Sequence, residues 1–390
     1  MPNALKVMDA DFGRRVHSLP SVEIVASIRQ IERDAWDGCF PGEVENWDYL
    51  AAVEEAGIDG FEFLYVTVRD AGRLVAAMPA FMCSYGLETT LDEPKIRKSV
   101  MAIRRVIPRF LMMRLACLGS PCTEVGRIGL HPSATGRAKE LFGVLLDGFQ
   151  AHAAKRNCSL IALKDIQLPA APFDEPIAAR GFVALDGMPT AWMDVRFKSL
   201  DDYLSSLSSG TRKDMRRKLR SKQDVRIEYC TDYNGLLPRI IELYRSTRER
   251  SDWQFEELTP AYFEGVLHGM SGRSLCIMYY VQDELLAANL VLCDQGQLID
   301  KFFCMDGELG REFNLYYLSW FTNVNYCIQH GLHRYQSGQA YYQNKVRLGS
   351  SLTKNAMFFR HRNPVLQWVL KTISPLFAIK EGEDRANEAS

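Results

Sequence analysis

The chain contains no apolar run of the roughly eighteen residues that a membrane-spanning helix needs, so no integral membrane segment is expected. Its ten cysteines form no C-x-x-C pair, and none shares metal-ligand spacing with the seven histidines. That argues against a zinc-type site and predicts no metal. Scattered singly, mostly in apolar runs, the cysteines read as buried thiols of a reducing compartment. The N-terminal stretch MPNALKVMDADFGRR lacks the apolar core of a signal peptide, and a cytoplasmic location is expected. An excess of either charge is also missing: 47 Lys and Arg face 48 Asp and Glu, a net charge of −1. Global charge therefore gives no reason to expect DNA as a partner, and any basic site must be local.

What is present is a globular composition, 47% hydrophobic over 390 residues, enough for two ordinary domains with separate cores. FEFLYVTVRD and GRLVAAMPAFMCSY around Asp70-Ala71-Gly72 predict an antiparallel hairpin. A strand at RLACLGS, a long amphipathic helix from Ala138, the strand SLIALKDI, a short helix and two closing strands near FVAL and TAWMDV follow. The second half repeats this order, with three consecutive strands from Ser274, the helix NLYYLSWFTNVNYCIQHG, and strands at HRYQSG and TKNAMFFRH. The pattern divides the chain into domains at 1–196 and 197–380, with a disordered acidic tail at 381–390. The class is α/β (α+β), each domain a mixed, mostly antiparallel sheet flanked by helices.

This doubled order resembles the tandem GNAT architecture of the FemAB-like group, which includes the Fem-like aminoacyl transferases. The resemblance implies an N-acyltransferase that passes an acyl or aminoacyl group to an amine. Its donor would be an aminoacyl-tRNA or an acyl-coenzyme A, and its acceptor a small amine or a molecule like a peptidoglycan precursor. It implies no bound cofactor beyond a coenzyme A thioester as donor. The segment GLHPSATGRAKEL is similar to the GNAT loop that holds a coenzyme A pyrophosphate on backbone N–H groups, here Gly136, Arg137 and Ala138, but lacks the leading Arg or Gln. Ile177 stands where a GNAT tyrosine would protonate the leaving thiolate, so the first domain reads as a substrate platform. GQAYYQNKVRLG is similar to the Fem-like segment that leads to a lysine, which places Lys345 at the catalytic position.

Acyl transfer to an amine needs a base, stabilisation of an oxyanion and protonation of the leaving group. Lys345 can supply positive charge, Tyr341 and Tyr342 a phenolic proton, and Arg347 a phosphate grip, with Asn344 and Gln339 as polar neighbours. We expect Lys345 in a polar loop; the competing reading for Lys345 and Arg347 is a solvated helix face. Asp300 beside Lys301, inside the apolar strand LIDKFFC, is either a base or a structural partner. Glu124 is expected to line a cleft between the domains. TRKDMRRKLRSK carries seven basic residues against Asp214 alone, with Arg212, Arg216 and Arg220 at helical spacing. It is either a solvated face or a site for a polyanionic donor. Near the C-terminus, Val365, Trp368 and Val369 share a face, with Leu366, Leu370 and Ile373 beside it; the expectation is a helix packed on the second domain. A non-catalytic binding module of the same fold is the alternative to an enzyme.

Overall fold

The computed structural model of the chain describes residues 19–86, 112–250 and 255–373; the predicted acidic tail lies outside them. Two mixed sheets flanked by helices form the architecture. The first sheet has β1 (Ser21–Val25), β2 (Phe61–Asp70), β3 (Arg73–Gly86), β4 (Met112–Leu118), β5 (Gly129–Leu130), β6 (Leu160–Gln167) and β7 (Val183–Asp186). The next strand, β8 (Thr190–Asp194), leaves it for the second sheet. There it joins β9 (Val225–Cys230), β10 (Ser274–Val281), β11 (Glu284–Asp294), β12 (Gln297–Met305), β13 (Arg334–Gly338) and β14 (Ser351–Thr353). Finally β15 (Asn355–His361) returns to the first sheet.

The duplication expected from element order is present in strand direction. The first sheet runs β1-β2-β3-β4-β6-β15-β7 and the second β9-β10-β11-β12-β13-β8-β14. Among the described residues each has one parallel pair of strands, β4 with β6 and β12 with β13, at the same place among antiparallel neighbours. The sixth strand of each is exchanged. Thus β8 comes from the end of the first half, and β15 comes from the end of the second. A single cut at residue 196 follows the chain but not the sheets: the strands at FVAL and TAWMDV do not pair with each other. The helix Pro364–Ile373 does not pack on the second sheet as the sequence suggested; it packs beside β15 on the first.

Local chemistry accounts for the hairpins. Ala71 and Gly72 have φ of 49° and 80°, and Gln295 and Gly296 of 51° and 74°. Those are two-residue turns whose twist matches that of the flanking strands. The helix Ala138–Lys155 lays Leu141, Phe142, Leu145, Leu146 and Phe149 on the first sheet, at the spacing of one helical face. The helix Leu315–Gln329 does the same on the second with Leu318, Phe321 and Val324. A further core joins the halves, where the helix Trp47–Ala56 meets Pro260–Gly269. Ala52 faces Gly265 and Gly269 there; a Cβ on Gly269 would stand 3.3 Å from that of Ala52.

Because β15 lies between β6 and β7, damage to it should appear in the first sheet. Phe358→Ala, which empties a buried site, is expected to cost about 3–5 kcal/mol in urea unfolding. In hydrogen exchange it should deprotect β6 and β7 before β12 and β13. Equal loss in both sheets would contradict the exchanged arrangement.

Candidate functional site

Parallel strands that diverge open a crevice beyond their carboxyl ends. In the second sheet the β12–β13 register ends at Ile299 opposite Gln336, although β12 continues to Met305 and β13 to Gly338. A bulge lies at the same point. Val291 pairs with Asp300 and Leu290 with Phe302, so Lys301 is the extra residue. Bulges re-aim side chains, and this one sets two adjacent charges at the crevice.

In the first sheet the equivalent crevice is filled by the chain itself. Pairing of β4 with β6 ends at Leu118 and Leu163, and the following segment runs into the gap. The Gly126 N–H donates to the Asp165 carbonyl at 2.8 Å. A Cβ at Gly126 would lie 2.1 Å from the Lys164 carbonyl oxygen, so only glycine fits. Lys164 closes the plug by donating to the Thr123 carbonyl at 2.8 Å and pairing with Asp165.

Glu124 projects from this plug toward the second crevice. Its carboxylate accepts from Lys301 Nζ at 3.2 Å and from Gln336 Nε2 at 3.1 Å. Its carbonyl accepts from Thr190 Oγ1, Gln339 Nε2 and Asn355 Nδ2, at 3.1, 3.2 and 3.4 Å. Lys301, its side chain 2% exposed, also donates to Glu45 at 2.5 Å and to the Cys122 carbonyl at 2.8 Å. Burial opposes the Lys301 charge, but Glu124 and Glu45 outweigh it and hold its pKa well above the ordinary value. Burial pushes Glu45 up to about 7 against the pull of Lys301.

Lys345 occupies a short helix, Tyr342–Arg347, rather than the expected polar loop, and it is only 5% exposed. Ala340 and Tyr341, at φ 66° and 52°, turn the chain back on itself. The ammonium then donates to the Ser337 carbonyl at 2.5 Å and the Gln339 carbonyl at 3.0 Å. The solvated-face reading fails for Lys345 for the same reason. Asp300, partly buried, accepts from Asn323 Nδ2 and Tyr335 OH, both at 3.2 Å. Burial raises Asp300 to about 6 and lowers Lys345 to about 8, each offset in part by attraction to the other.

The remaining candidates separate around this centre. Tyr341 is exposed at the rim, its ring 6.3 Å from that of Tyr316. Tyr342 donates its phenolic proton to the Pro189 carbonyl at 2.9 Å, and Asn344 accepts from Tyr317 at 3.4 Å. Arg347 does not reach into the crevice: it pairs with Asp214 at 2.8 Å and donates to Thr211 at 3.2 Å, which ties the basic helix Ser209–Lys218 to the lysine helix. Arg212 donates to the Ser205 carbonyl, while Arg216 and Arg220 are exposed. The single stripe through 212, 216 and 220 is broken, because the α-helix ends at Lys218 and Arg220 lies on a 3-10 turn. Gly136, Arg137 and Ala138 do not join the cluster. Arg137 pairs with Asp70 and Glu140, and the Ala138 N–H donates to the Thr135 carbonyl. A Cβ on Gly136 would meet open space, so the close approach expected of that glycine is absent.

Sequence reasoning thus found Asp300, Lys345, Gln339 and Glu124, which the fold brings together. It gave Lys301 only as a charge in need of a partner, and it missed Glu45 and Gln336. A charged pair in an apolar strand was the available signal for Lys301; nothing in PGEVENW marks Glu45. Among the described residues no group of His, Cys, Asp and Glu has the arrangement of a metal site, and no helix is long and apolar enough to cross a membrane.

A family model described as FemAB-like, peptidoglycan biosynthesis/recognition, matches residues 27–374. The chain belongs to the FemAB-like family. Among solved structures, one of FemX superimposes with a TM-score of 0.58 at 15% identity, covering 90% of this chain and all of that one. At this identity the match speaks for the fold. A tandem GNAT protein from the clavulanic acid biosynthesis pathway gives a TM-score of 0.48 at 13% identity, covering 88% of this chain and 99% of that one. L-PGS from Bacillus licheniformis gives 0.46 at 10% identity, with 69% and 86% coverage. No curated protein matches the chain closely enough in sequence to count as a relative.

Removing the Lys301 charge leaves two carboxylates facing each other in the interior. Lys301→Met is expected to lose about 3–5 kcal/mol of stability near neutral pH. A carboxyl whose pKa is raised on folding binds more protons in the native state, so stability falls as pH rises from the ordinary carboxylate range through about 7 for Glu45. The deficit of the variant should accordingly shrink on acidification and partly disappear when Glu45→Gln is added. Urea titrations across pH check this; a deficit independent of pH would refute it.

Proposed function

We propose that the chain is an N-acyltransferase whose chemistry takes place in the crevice between β12 and β13. The observation that carries the reading is the placement of half-buried Asp300 and buried Lys345 at the end of a diverging parallel pair, where burial moves the carboxyl up and the ammonium down toward neutrality. Asp300 takes a proton from the acceptor ammonium, and the free amine attacks the donor carbonyl carbon. Lys345 stabilises the oxyanion that forms. Collapse breaks the acyl–oxygen or acyl–sulfur bond; the leaving group takes a proton at the rim, where Tyr341 is the exposed phenol, and the proton that the attacking nitrogen sheds on becoming an amide replaces it. Tyr342 is not assigned this role, since its hydroxyl is already committed to Pro189.

An aminoacyl-tRNA is the preferred donor. The support is the basic helix, which Arg347 and Asp214 tie to the lysine helix and which exposes Lys213 and Arg216 to solvent, with Arg220 just beyond. The family description supports a peptidoglycan-precursor-like acceptor, and the steps proposed here use no resident cofactor. Radiolabelled acyl transfer tests the reading, with an acyl-coenzyme A as the competing donor. Transfer from the thioester alone would exchange the two donors, and transfer from neither would favour the binding module.

Lys345→Met should lower turnover about a hundredfold, the usual loss of one oxyanion contact, with the protein still folded by circular dichroism. Wild-type turnover in that variant would remove the lysine from the mechanism. The wild type should show a bell-shaped rate profile, rising as the pair loses its first proton near 6 and falling as it loses the second near 8. In Asp300→Asn the acidic limb should vanish.

Replacing Lys213, Arg216 and Arg220 together with Gln should weaken tRNA binding. It should also reduce the slope of log affinity against log salt by about 2–3, one lost counterion per contact. A filter-binding titration with an unchanged slope would make the helix a solvated face.

A further inference from the structure

The helix Leu315–Gln329 turns one face to the polar cluster of the second crevice. Tyr316, Ser319 and Asn323 share that face, at the spacing of successive turns. Asn323 reaches Asp300, and Ser319 accepts from Asn289 Nδ2 at 3.1 Å. Tyr316 lies in the first turn, its ring 6.2 Å from that of Phe303 on β12 and 6.3 Å from that of Tyr341 at the rim.

The phenols beside it are committed: Tyr317 donates to Asn344, and Tyr335 to Asp300. The Tyr316 hydroxyl is closed off from solvent and has no hydrogen-bond partner among the described residues. A buried polar group left unpaired costs stability, so its presence calls for a reason. Burial, and after it the charge of Asp300, holds this phenol above its ordinary pKa. It therefore keeps its proton at neutral pH and is available as a donor, not as a base. Lys345 has three N–H donors and commits two of them, to the Ser337 and Gln339 carbonyls. One is left for a developing oxyanion, whereas oxyanion sites are built from several converging donors.

We propose that Tyr316 is a catalytic residue, its phenol a second hydrogen-bond donor to the acyl oxygen beside Lys345. This rests on the N-acyltransferase reading above. There the acceptor amine lies at Asp300 and the leaving group at Tyr341, so the carbonyl between them passes the phenol placed between those two residues. Tyr341 is 62% exposed, and its hydroxyl has no partner among the described residues, so its side chain can turn aside as the acyl group enters. The Tyr316 O–H then donates to the carbonyl oxygen, more strongly as charge gathers there, and keeps its proton through addition and collapse. A hydroxyl unpaired in the resting protein thus gains its full partner in the transition state, the condition for raising kcat and not merely lowering KM.

The test is Tyr316→Phe in the full-length protein, assayed by radiolabelled acyl transfer from the donor that the wild type accepts. Turnover should fall about a hundredfold, the usual cost of one oxyanion donor, with KM within about twofold of wild type. The melting temperature should hold, because the hydroxyl has no bond to lose, and both limbs of the rate profile should remain. Wild-type turnover in the variant would overturn the proposal, and so would a loss confined to KM. A drop of several degrees in melting temperature would make the hydroxyl structural, and loss of a limb would make it a proton carrier; either refutes the assignment. Absence of transfer by the wild type from either donor would remove the N-acyltransferase reading and this one with it, a result distinct from failure in the variant alone.

Discussion

A lysine ammonium almost closed off from water stays charged only while carboxylates stay with it, and both carboxylates of Lys301 come from the other half of the chain. Glu45 lies just before the helix Trp47–Ala56, and Glu124 is carried on the segment that plugs the first crevice. The pairing fixes how the halves meet. It also places the Glu124 carbonyl where Thr190, Gln339 and Asn355 converge, so residues from both exchanged strands and from the loop before Lys345 share one acceptor. A buried charge is an expensive way to hold two sheets together. Its counterpart is specificity of register: Lys301 has these partners in only one relative placement.

Two copies of one sheet have been put to different uses. In the first, Gly126 lets backbone enter the space between the parallel strands, and Lys164 with Asp165 seals it. In the second, the same space holds a polar cluster in which Asp300 and Lys345 moderate each other. The first half then contributes to the second site through Glu124, which makes it a wall of the crevice. Ile177, at the position where the resemblance expects a tyrosine, is 1% exposed and serves the core of the first sheet.

Much of the fold was legible because its elements are locally consistent. The Ala71-Gly72 and Gln295-Gly296 turns and the apolar faces from Leu141 to Phe149 and from Leu318 to Val324 all carry their own periodicity. The exchange of β8 and β15 was not legible, since a strand's pattern records that it is buried and not which sheet buries it. At the site, Lys345 could be found from its neighbours but not its burial, because the left-handed turn at Ala340 and Tyr341 converts an apparent loop into a helix pointing inward. Glu45 left no trace. Its importance arises from a bulge more than two hundred and fifty residues away, and pairings of that range are tertiary facts.

The exchanged strands also bear on how the protein is made. Domains emerging from a ribosome generally fold as units, N-terminal first. This chain withholds that route, because the first sheet stays split between β6 and β7 until Asn355–His361 has been synthesised. During most of translation the inner edges of β6 and β7 therefore wait unpaired, a state that invites association with other strands. The last strand among the described residues closes the first sheet, and the order of synthesis and the order of completion run in opposite directions.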